Sequence, residues 1–426
     1  MLLTNNDTDI ILDKNQLLEV FFRGCKTEEN IGVESEKLLV YKNSYEAVKY
    51  SDVVKILEKF DENKWQKYYE NGNLMGLTSE IGSISLEPGS QVEISLKPFK
   101  TLDEITTKLQ QYYIELSSYA QEINAIVLNS GIQPISTFDD IKIIPKQRYG
   151  FMTKYLPTKG NSPFIMMRET AGIQANFDYI SEEDAIRKLT LAIKMSPIIS
   201  SIYANSPIRN GKRTNLKSNR ANSWLNVDEQ RCGYISKKLF DKNEKFTFGD
   251  YAEVLLDIPM IFIQRGNTCF PTNQTFREFM QKGFMGMQAT LKDWETHLSL
   301  FFPDVRLKSY VEIRNHDAQN SAMTFSVPAF WKGIMYRKAA MEEIENILSR
   351  FEYQDFMELR ETSLTQSINA KLGKYSVLDL AREFFDISFA SLKAFNEKEE
   401  NYLTPVFEYL TLKRTPADDL IDNFNK

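Results

Sequence analysis

Histidine is almost missing from this 426-residue chain, His297 and His316 being the only two, and cysteine is scarce, with Cys25, Cys232 and Cys269 making 3. A histidine-built metal centre is thereby set aside. Cysteines odd in number and without CxxC spacing support neither a disulfide framework nor a zinc site, and in a reducing compartment they default to free thiols. No apolar stretch reaches the length of a membrane span, and the opening MLLTNNDTDIILDKNQ lacks the basic start and apolar core of a leader, so the default placement is cytoplasmic. Long blocks of one charge are absent too. The net charge of -6 comes from 58 acidic residues interspersed with 52 basic ones, which indicates neither nucleic acid nor an anionic membrane as partner and favours small molecules. There is no internal repeat, low-complexity tract or flexible linker.

What is present is a normal apolar share of 42%, enough for a substantial core, and a set of alternating stretches that carry acids. In residues 85–98, SLEPGSQVEISLKP, Glu87 and Glu93 flank a Pro-Gly turn, and Val92, Ile94 and Leu96 then alternate with Glu93, Ser95 and Lys97. Upstream, IGVESEKLLVY places Val33 and Ser35 on one face of a strand and Glu34 and Glu36 on the other. Downstream, Gln174, Asn176 and Asp178 alternate with Ile173, Ala175 and Phe177, and Tyr310, Glu312 and Arg314 with Val311 and Ile313. Carboxylates on one sheet face repel unless something positive lies between them, and hard oxygen ligands suit Mg²⁺. Taken singly, each stretch reads more simply as a strand with a solvated polar face. Gln174 and Asn176 fit an edge strand as well as a lined cavity, and Glu312 with Arg314 fits a plain ion pair.

Helical spacing predicts helices over residues 15–23, with Gly24 as the stop, over 51–69, over 101–130, over SEEDAIRKLTLAIKMSPIISSIYANS, residues 181–206, and through most of 337–426. Residues 141–160 have no clean period and read as a loop. FIMMRETAGIQANFDY reads as a strand, VLLDIPMIFIQ as a buried strand and FREFMQKGF as a short helix. The segment 206–233 reads as a long polar loop. Its Arg209, Lys212, Arg213, Lys217, Arg220 and Arg231 either clamp carboxylates or phosphates or are simply solvated.

In chain order, GVESEK, EPGSQVEIS, RYGFM, MMRETAGIQANFDY, SNRANSW, DIPMIF, LKDWETHLSLFFPDVRLKSYVEIR and PAFWKG resemble the glutamate-cysteine ligases of the plant and proteobacterial type, over residues 21–395. The resemblance implies an α+β fold similar to the catalytic domain of glutamine synthetase: an antiparallel sheet curved into a funnel, helices outside and metals within. Residues 1–340 would be the ligase domain and 341–426 a helical extension packed on it. The implied reaction is ATP-dependent phosphorylation of the glutamate side-chain carboxylate, followed by attack of the cysteine amine. Two or three Mg²⁺ ions would neutralise phosphate charge. By position, Glu34, Glu36, Glu87, Glu93 and Glu312 would hold metal, with Gln174 at the edge. Arg314 would meet the transferred phosphate beside Glu312, and Arg220, Trp224, Arg148 and Asn176 would bind substrate. Lys146 and Lys154 would serve the nucleotide. A monomer or weak homodimer is expected.

Two departures touch the substrate pocket. NHDAQ, Asn315 to Gln319, replaces a glycine-bearing segment, with only Asp317 in place, and in MMRET the arginine expected before Thr170 is Glu169. On a strand, Arg168, displaced by one residue, would face the opposite side. The open alternatives are a same-fold ligase for a different amine and an inactive nucleotide or amino-acid sensor.

Overall fold

The alternating stretches pair into one antiparallel sheet and the helical stretches pack around it. A computed structural model describes residues 9–241, 244–266 and 268–424, so the first half of the stretch read as lacking a leader, residues 1–8, lies outside the described residues. In chain order come α1 (Asn15–Phe22), β1 (Ile31–Tyr41), α2 (Tyr50–Leu57), β2 (Gln66–Glu70), β3 (Asn73–Ser79), β4 (Gly82–Leu86), β5 (Val92–Leu96), α3 (Leu102–Glu122) and β6 (Ala125–Leu128). Next are α4 (Gln147–Tyr155), α5 (Pro163–Glu169), β7 (Gly172–Phe177), α6 (Glu182–Ile202), the short strands β8 (Ile208–Arg209) and β9 (Lys212–Arg213), α7 (Asn219–Leu225), α8 (Glu229–Cys232) and α9 (Phe248–Leu256). A hairpin of β10 (Phe262–Arg265) and β11 (Thr268–Pro271) precedes α10 (Phe276–Lys282), α11 (Leu291–Ser299), β12 (Val305–Leu307) and β13 (Val311–Asp317). The remainder is α12 (Ser321–Met335), α13 (Lys338–Leu348), α14 (Tyr353–Gln366), the short strands β14 (Lys371–Leu372) and β15 (Tyr375–Ser376), α15 (Val377–Phe395), α16 (Thr404–Leu412) and α17 (Pro416–Phe424).

Strand order in the sheet is β12-β13-β7-β1-β5-β4-β3-β2, with β6 paired to the far end of β1. Strand β7 therefore lies between β1 and β13, which removes the edge-strand reading of Gln174 and Asn176. The apolar face packs on α3, α6 and α12: Ser35 of β1 bonds Tyr113 of α3 at 2.7 Å, and Phe177 of β7 meets Tyr336 beside α12 at 5.5 Å. Helices α13 to α15 continue this layer against α6 and α12. None of the described helices is long and apolar enough to cross a membrane.

Several elements differ from the sequence expectation for local reasons. The helix expected over 101–130 begins with a Thr101–Glu104 capping box but ends at Glu122. Asn124 takes a left-handed φ of 56°, and the β-rich AIVL pairs with β1 instead. The helix expected over 51–69 stops at Leu57; Asp61 accepts from the Asn63 amide at 3.0 Å in a turn, and an edge strand comes next. The expected loop 141–160 contains α4, whose buried Tyr149, Met152 and Tyr155 make too narrow a stripe to read. FIMMRE is helical because Pro163 starts it, and the strand begins only at Gly172. The start of VLLDIPMIFIQ closes α9, leaving a short β10. In the polar loop, Ser218 caps α7 by accepting from Ala221 N at 2.9 Å.

Candidate active site

The sheet register gathers the acids. Glu36 on β1 is the direct partner of Glu93 on β5, and Glu34 is the partner of Gln174 on β7. Glu312 on β13 lies opposite Asn176. Glu34, Glu36, Glu93 and Gln174, with Glu87 from the turn before β5, line a cleft of about 320 Å³ whose rim carries Lys146, Arg148 and Tyr149 near α4, Met166 and Met167 on α5, and Trp224 on α7, while Glu312 and Asn176 are buried beside it.

The carboxylates at the two ends of this row are in opposite electrostatic states. Glu312 is fully buried and ringed by cations. Arg306 pairs with it through two nitrogens, Lys308 Nζ lies 3.3 Å away and Arg314 Nη1 3.4 Å away. Burial opposes ionisation there, but Arg306 foremost, then Lys308 and Arg314, holds the carboxyl far below its usual range. At the other end no described lysine or arginine forms an ion pair with Glu34, Glu36, Glu87 or Glu93. Glu34 accepts from Asn176 Nδ2 at 2.9 Å, Glu36 from Gly172 N at 2.6 Å, and Glu93 from Ser95 and Ser85 at 3.0 and 3.2 Å. Burial pushes Glu36 up to about 7, with Arg220 opposing and Glu87 adding to the rise. Burial, then the charges of Glu87, Glu34 and Glu36, raises Glu93 well above the carboxylate range. Glu34 is raised as well, by burial and by Glu312.

Beside the cleft, α7 sends in Arg220 and Trp224. The Arg220 guanidinium occupies the space over Gly172, where a Cβ would sit 2.3 Å from Nη2, so only glycine admits it. Arg220 Nη2 donates to Arg314 O at 2.9 Å, while Arg220 Nε, Trp224 Nε1 and Asn315 Oδ1 are buried without a hydrogen-bond partner in the protein. All three residues line a small cavity of about 40 Å³ that also touches Arg314 and Phe302, which border the cleft. Two orphaned donors and one orphaned acceptor match a small group carrying both a carboxylate and an ammonium.

Most of the residues singled out from sequence therefore meet here, though not all in the expected way. Gln174 accepts from Arg314 Nη1 at 2.6 Å, and Asn176 gives its amide to Glu34. Lys146 and Arg148 line the cleft, with Tyr149 hydroxyl 3.3 Å from Glu87. Lys154, by contrast, is exposed on α4 and does not line the cleft. Of the basic loop only Arg220 reaches the site: Arg209 pairs with Glu169, Lys217 with Asp418 and Arg231 with Asp228. Glu169 ends a helix, so the strand-face reasoning about Arg168 does not apply. Arg168 instead donates to Phe138 O at 2.6 Å. The cysteines are free, and burial pushes the Cys232 thiol up to about 12.

Arg306 and Lys308 were not anticipated. RLKSYVEIR reads in hindsight as a tight hairpin whose register sets Arg306 opposite Glu312. Among the described residues, no three carboxylates, histidines or cysteines converge closely enough to hold a metal ion as they stand.

An antiparallel sheet with helices on one face and a recessed row of acids on the other defines a ligase-like α+β protein. The model of glutamate-cysteine ligase family 2 (GCS2) matches residues 30–422, and the chain belongs to that family. It is 33% identical over 421 residues to the chloroplastic glutamate–cysteine ligase B of rice (Oryza sativa subsp. japonica), covering 96% of this chain and 84% of that protein. The chloroplastic glutamate–cysteine ligase of Arabidopsis thaliana is 31% identical over 421 residues, covering 97% of this chain and 80% of that one. Among solved structures, the glutamate–cysteine ligase from Francisella tularensis in complex with AMP shares the fold, with a TM-score of 0.58 and 15% identity over 93% of this chain and 85% of that one.

Proposed function

We propose that this chain joins the side-chain carboxylate of L-glutamate to the amine of L-cysteine at the expense of ATP, forming γ-glutamylcysteine, the first step of glutathione synthesis. The glutamate γ-carboxylate oxygen bonds to the γ-phosphorus of ATP as the bond to ADP breaks. The amine then attacks the acyl carbon, phosphate leaves with the oxygen, and the amine nitrogen loses its proton. The observation that carries the reading is the cleft-lining set Glu34, Glu36, Glu87 and Glu93, with no cation paired to it by the described residues.

These residues fit Mg²⁺: their donors are hard oxygens, they repel one another, and three of them are raised toward the neutral form by burial and then by neighbouring carboxylates. Two or three ions held by Glu34, Glu36, Glu87 and Glu93 would supply charge neutralisation on the phosphates, whereas Glu312, expected from sequence to join them, is already paired with Arg306, Lys308 and Arg314, and the Gln174 oxygen is taken by Arg314. Arg314, anchored by Gln174, faces the transferred phosphate. Lys146 borders the nucleotide's path, and Arg148, which also lines the cleft, is the second candidate for a substrate carboxylate. Arg220, Trp224 and Asn315 hold the α-carboxylate and ammonium of glutamate through the orphaned atoms named above. In the same reading, residues 1–340 form the catalytic domain with 341–426 packed on it, the protein is a monomer or weak homodimer, and its three free thiols suit the cytoplasm.

The test is ADP release with ATP, Mg²⁺ and glutamate, adding cysteine, 2-aminobutyrate or other amines singly and identifying products by mass. Turnover with cysteine, weaker with 2-aminobutyrate, is expected. ADP only with another amine would keep the chemistry and overturn the acceptor. Nucleotide binding without turnover would leave a sensor.

A further inference from the structure

The segment NHDAQ ends β13 and departs from the family pattern, yet Asp317 within it is among the most heavily bonded carboxylates in the molecule. It is 2% exposed and lies outside the acidic row. Its Oδ2 accepts from Asn205 N at 2.8 Å and from Ser206 Oγ at 2.6 Å; its Oδ1 accepts from Ser218 Oγ at 2.9 Å. Each serine hydroxyl has one proton. Once that proton is given to Asp317, the oxygen's lone pairs are left for other donors, and both turn to the start of α7: Ser206 Oγ accepts from Arg220 N at 3.2 Å and Ser218 Oγ from Ala221 N at 2.9 Å. Helix α7 has 7 residues, too few to be stable by itself, and it carries Arg220 and Trp224. The Arg220 guanidinium has little freedom over Gly172, so a small rotation of α7 moves Nε away from the small cavity.

We propose that Asp317 is a positioning residue for substrate binding: through Ser206 and Ser218 it sets the start of α7, and thereby the pose in which Arg220 meets the substrate carboxylate. Asp317 touches no substrate itself. The inference rests on the reading of Arg220 as the glutamate anchor. An amide at this place presents a donor to groups that all donate, so Asp317→Asn takes the acceptor from one of them and leaves a serine hydroxyl to reorient, loosening the geometry in which its oxygen accepts from the helix amide.

The experiment compares the wild type with Asp317→Asn, Ser218→Ala and the double variant, using the whole chain. Expected for Asp317→Asn is a rise in glutamate KM of roughly tenfold or more, with kcat and the KM for ATP within about threefold, as for loss of binding uniform between ground and transition state. Ser218→Ala should raise the same KM less, and the double variant should be no worse than Asp317→Asn, because both break one relay. A loss in kcat with all KM values unchanged, or additive effects, would overturn the proposal. Should Asp317→Asn fail to fold, Ser218→Ala carries the test by the same split of KM against kcat. Hydrogen exchange at the Arg220 and Ala221 amides separates this proposal from the substrate assignment. Faster exchange confined to α7 supports the positioning role even if glutamate is not the substrate, and unchanged exchange overturns it even if glutamate is.

Discussion

The two ends of the acidic row differ in where their counter-charge comes from: the protein supplies it at one end and leaves it to be supplied from outside at the other. Glu312 has Arg306, Lys308 and Arg314 within 4 Å and is locked in the ionised form. Glu36 and Glu93, on β1 and β5 further along the sheet, are equally acidic in composition, yet have only hydroxyl and amide donors. The first is a closed ion-pair cluster that braces the β12–β13 hairpin. The second is an unmet demand for positive charge, which is what a site for a divalent cation and polyphosphate requires. Five acids on one face would be untenable without added cations only if all five were unpaired. Glu312 meets its need internally, so the demand falls on the other four.

The comparison breaks most sharply on substitution. Glu312→Gln leaves three cations around a neutral amide, and stability should fall by about 3–5 kcal/mol, as when one partner of a buried pair is removed. Urea unfolding measures this. Glu93→Gln should do the opposite: Tm holds or rises, because a carboxyl already driven toward neutrality is replaced by a neutral isostere, while ADP release falls roughly a hundredfold or more. A Tm loss in Glu93→Gln as large as that of Glu312→Gln would mean that the two ends are alike.

Acidity sharpens the same contrast. Glu36 titrates at about 7, above its ordinary value. A raised carboxyl contributes stability that is complete below the unfolded pKa and is lost as pH rises through the folded one. The protein without added metal should therefore lose stability as pH rises from about 4.5 through about 7, the interval over which Glu36 ionises. Mg²⁺ replaces those protons, so its stabilising effect should be larger at pH 8 than at pH 6 and its binding at pH 6 should release protons. Thermal melts with and without Mg²⁺ at the two pH values, with calorimetry in two buffers for proton release, check both statements.

Alternation was enough to find the acids, because a side-chain period of two survives whatever the neighbouring strands are. Glu34, Glu36, Glu93 and Glu312 could be assigned to one face of their strands before any pairing was known. Their distinct states could not. Of the partners of Glu312, Arg306 lies on β12, which is 3 residues long, too short for a period to show, and Lys308 lies in the turn just after it. Helices α4 and α7 were hidden for a related reason: α4 buries a stripe of polar aromatics and methionine, and α7 is held by Ser218 and by hydroxyls bonded to Asp317, contacts remote in sequence. The stop of α3 at Glu122 was signalled by Asn124, but the period of LQQYYIELSSYAQE outweighs one residue when the competing strand partner, β1, lies far upstream.

The smallest expected effect lies on the cationic rim, where two lysines from one segment part company. Lys146 borders the cleft and sits 5.1 Å over the Tyr149 ring, whose hydroxyl reaches Glu87. Lys154 stands in solvent at the other end of α4. A partly exposed charge contact is worth about 1 kcal/mol at most, so Lys146→Ala should raise the ATP KM roughly fivefold and should do so less at high salt. Lys154→Ala should change nothing. Initial rates against ATP at low and high ionic strength decide it. Equal effects of the two substitutions would mean that the rim acts only through its total charge, and a larger effect of Lys154→Ala would place the nucleotide outside the cleft that the acids line.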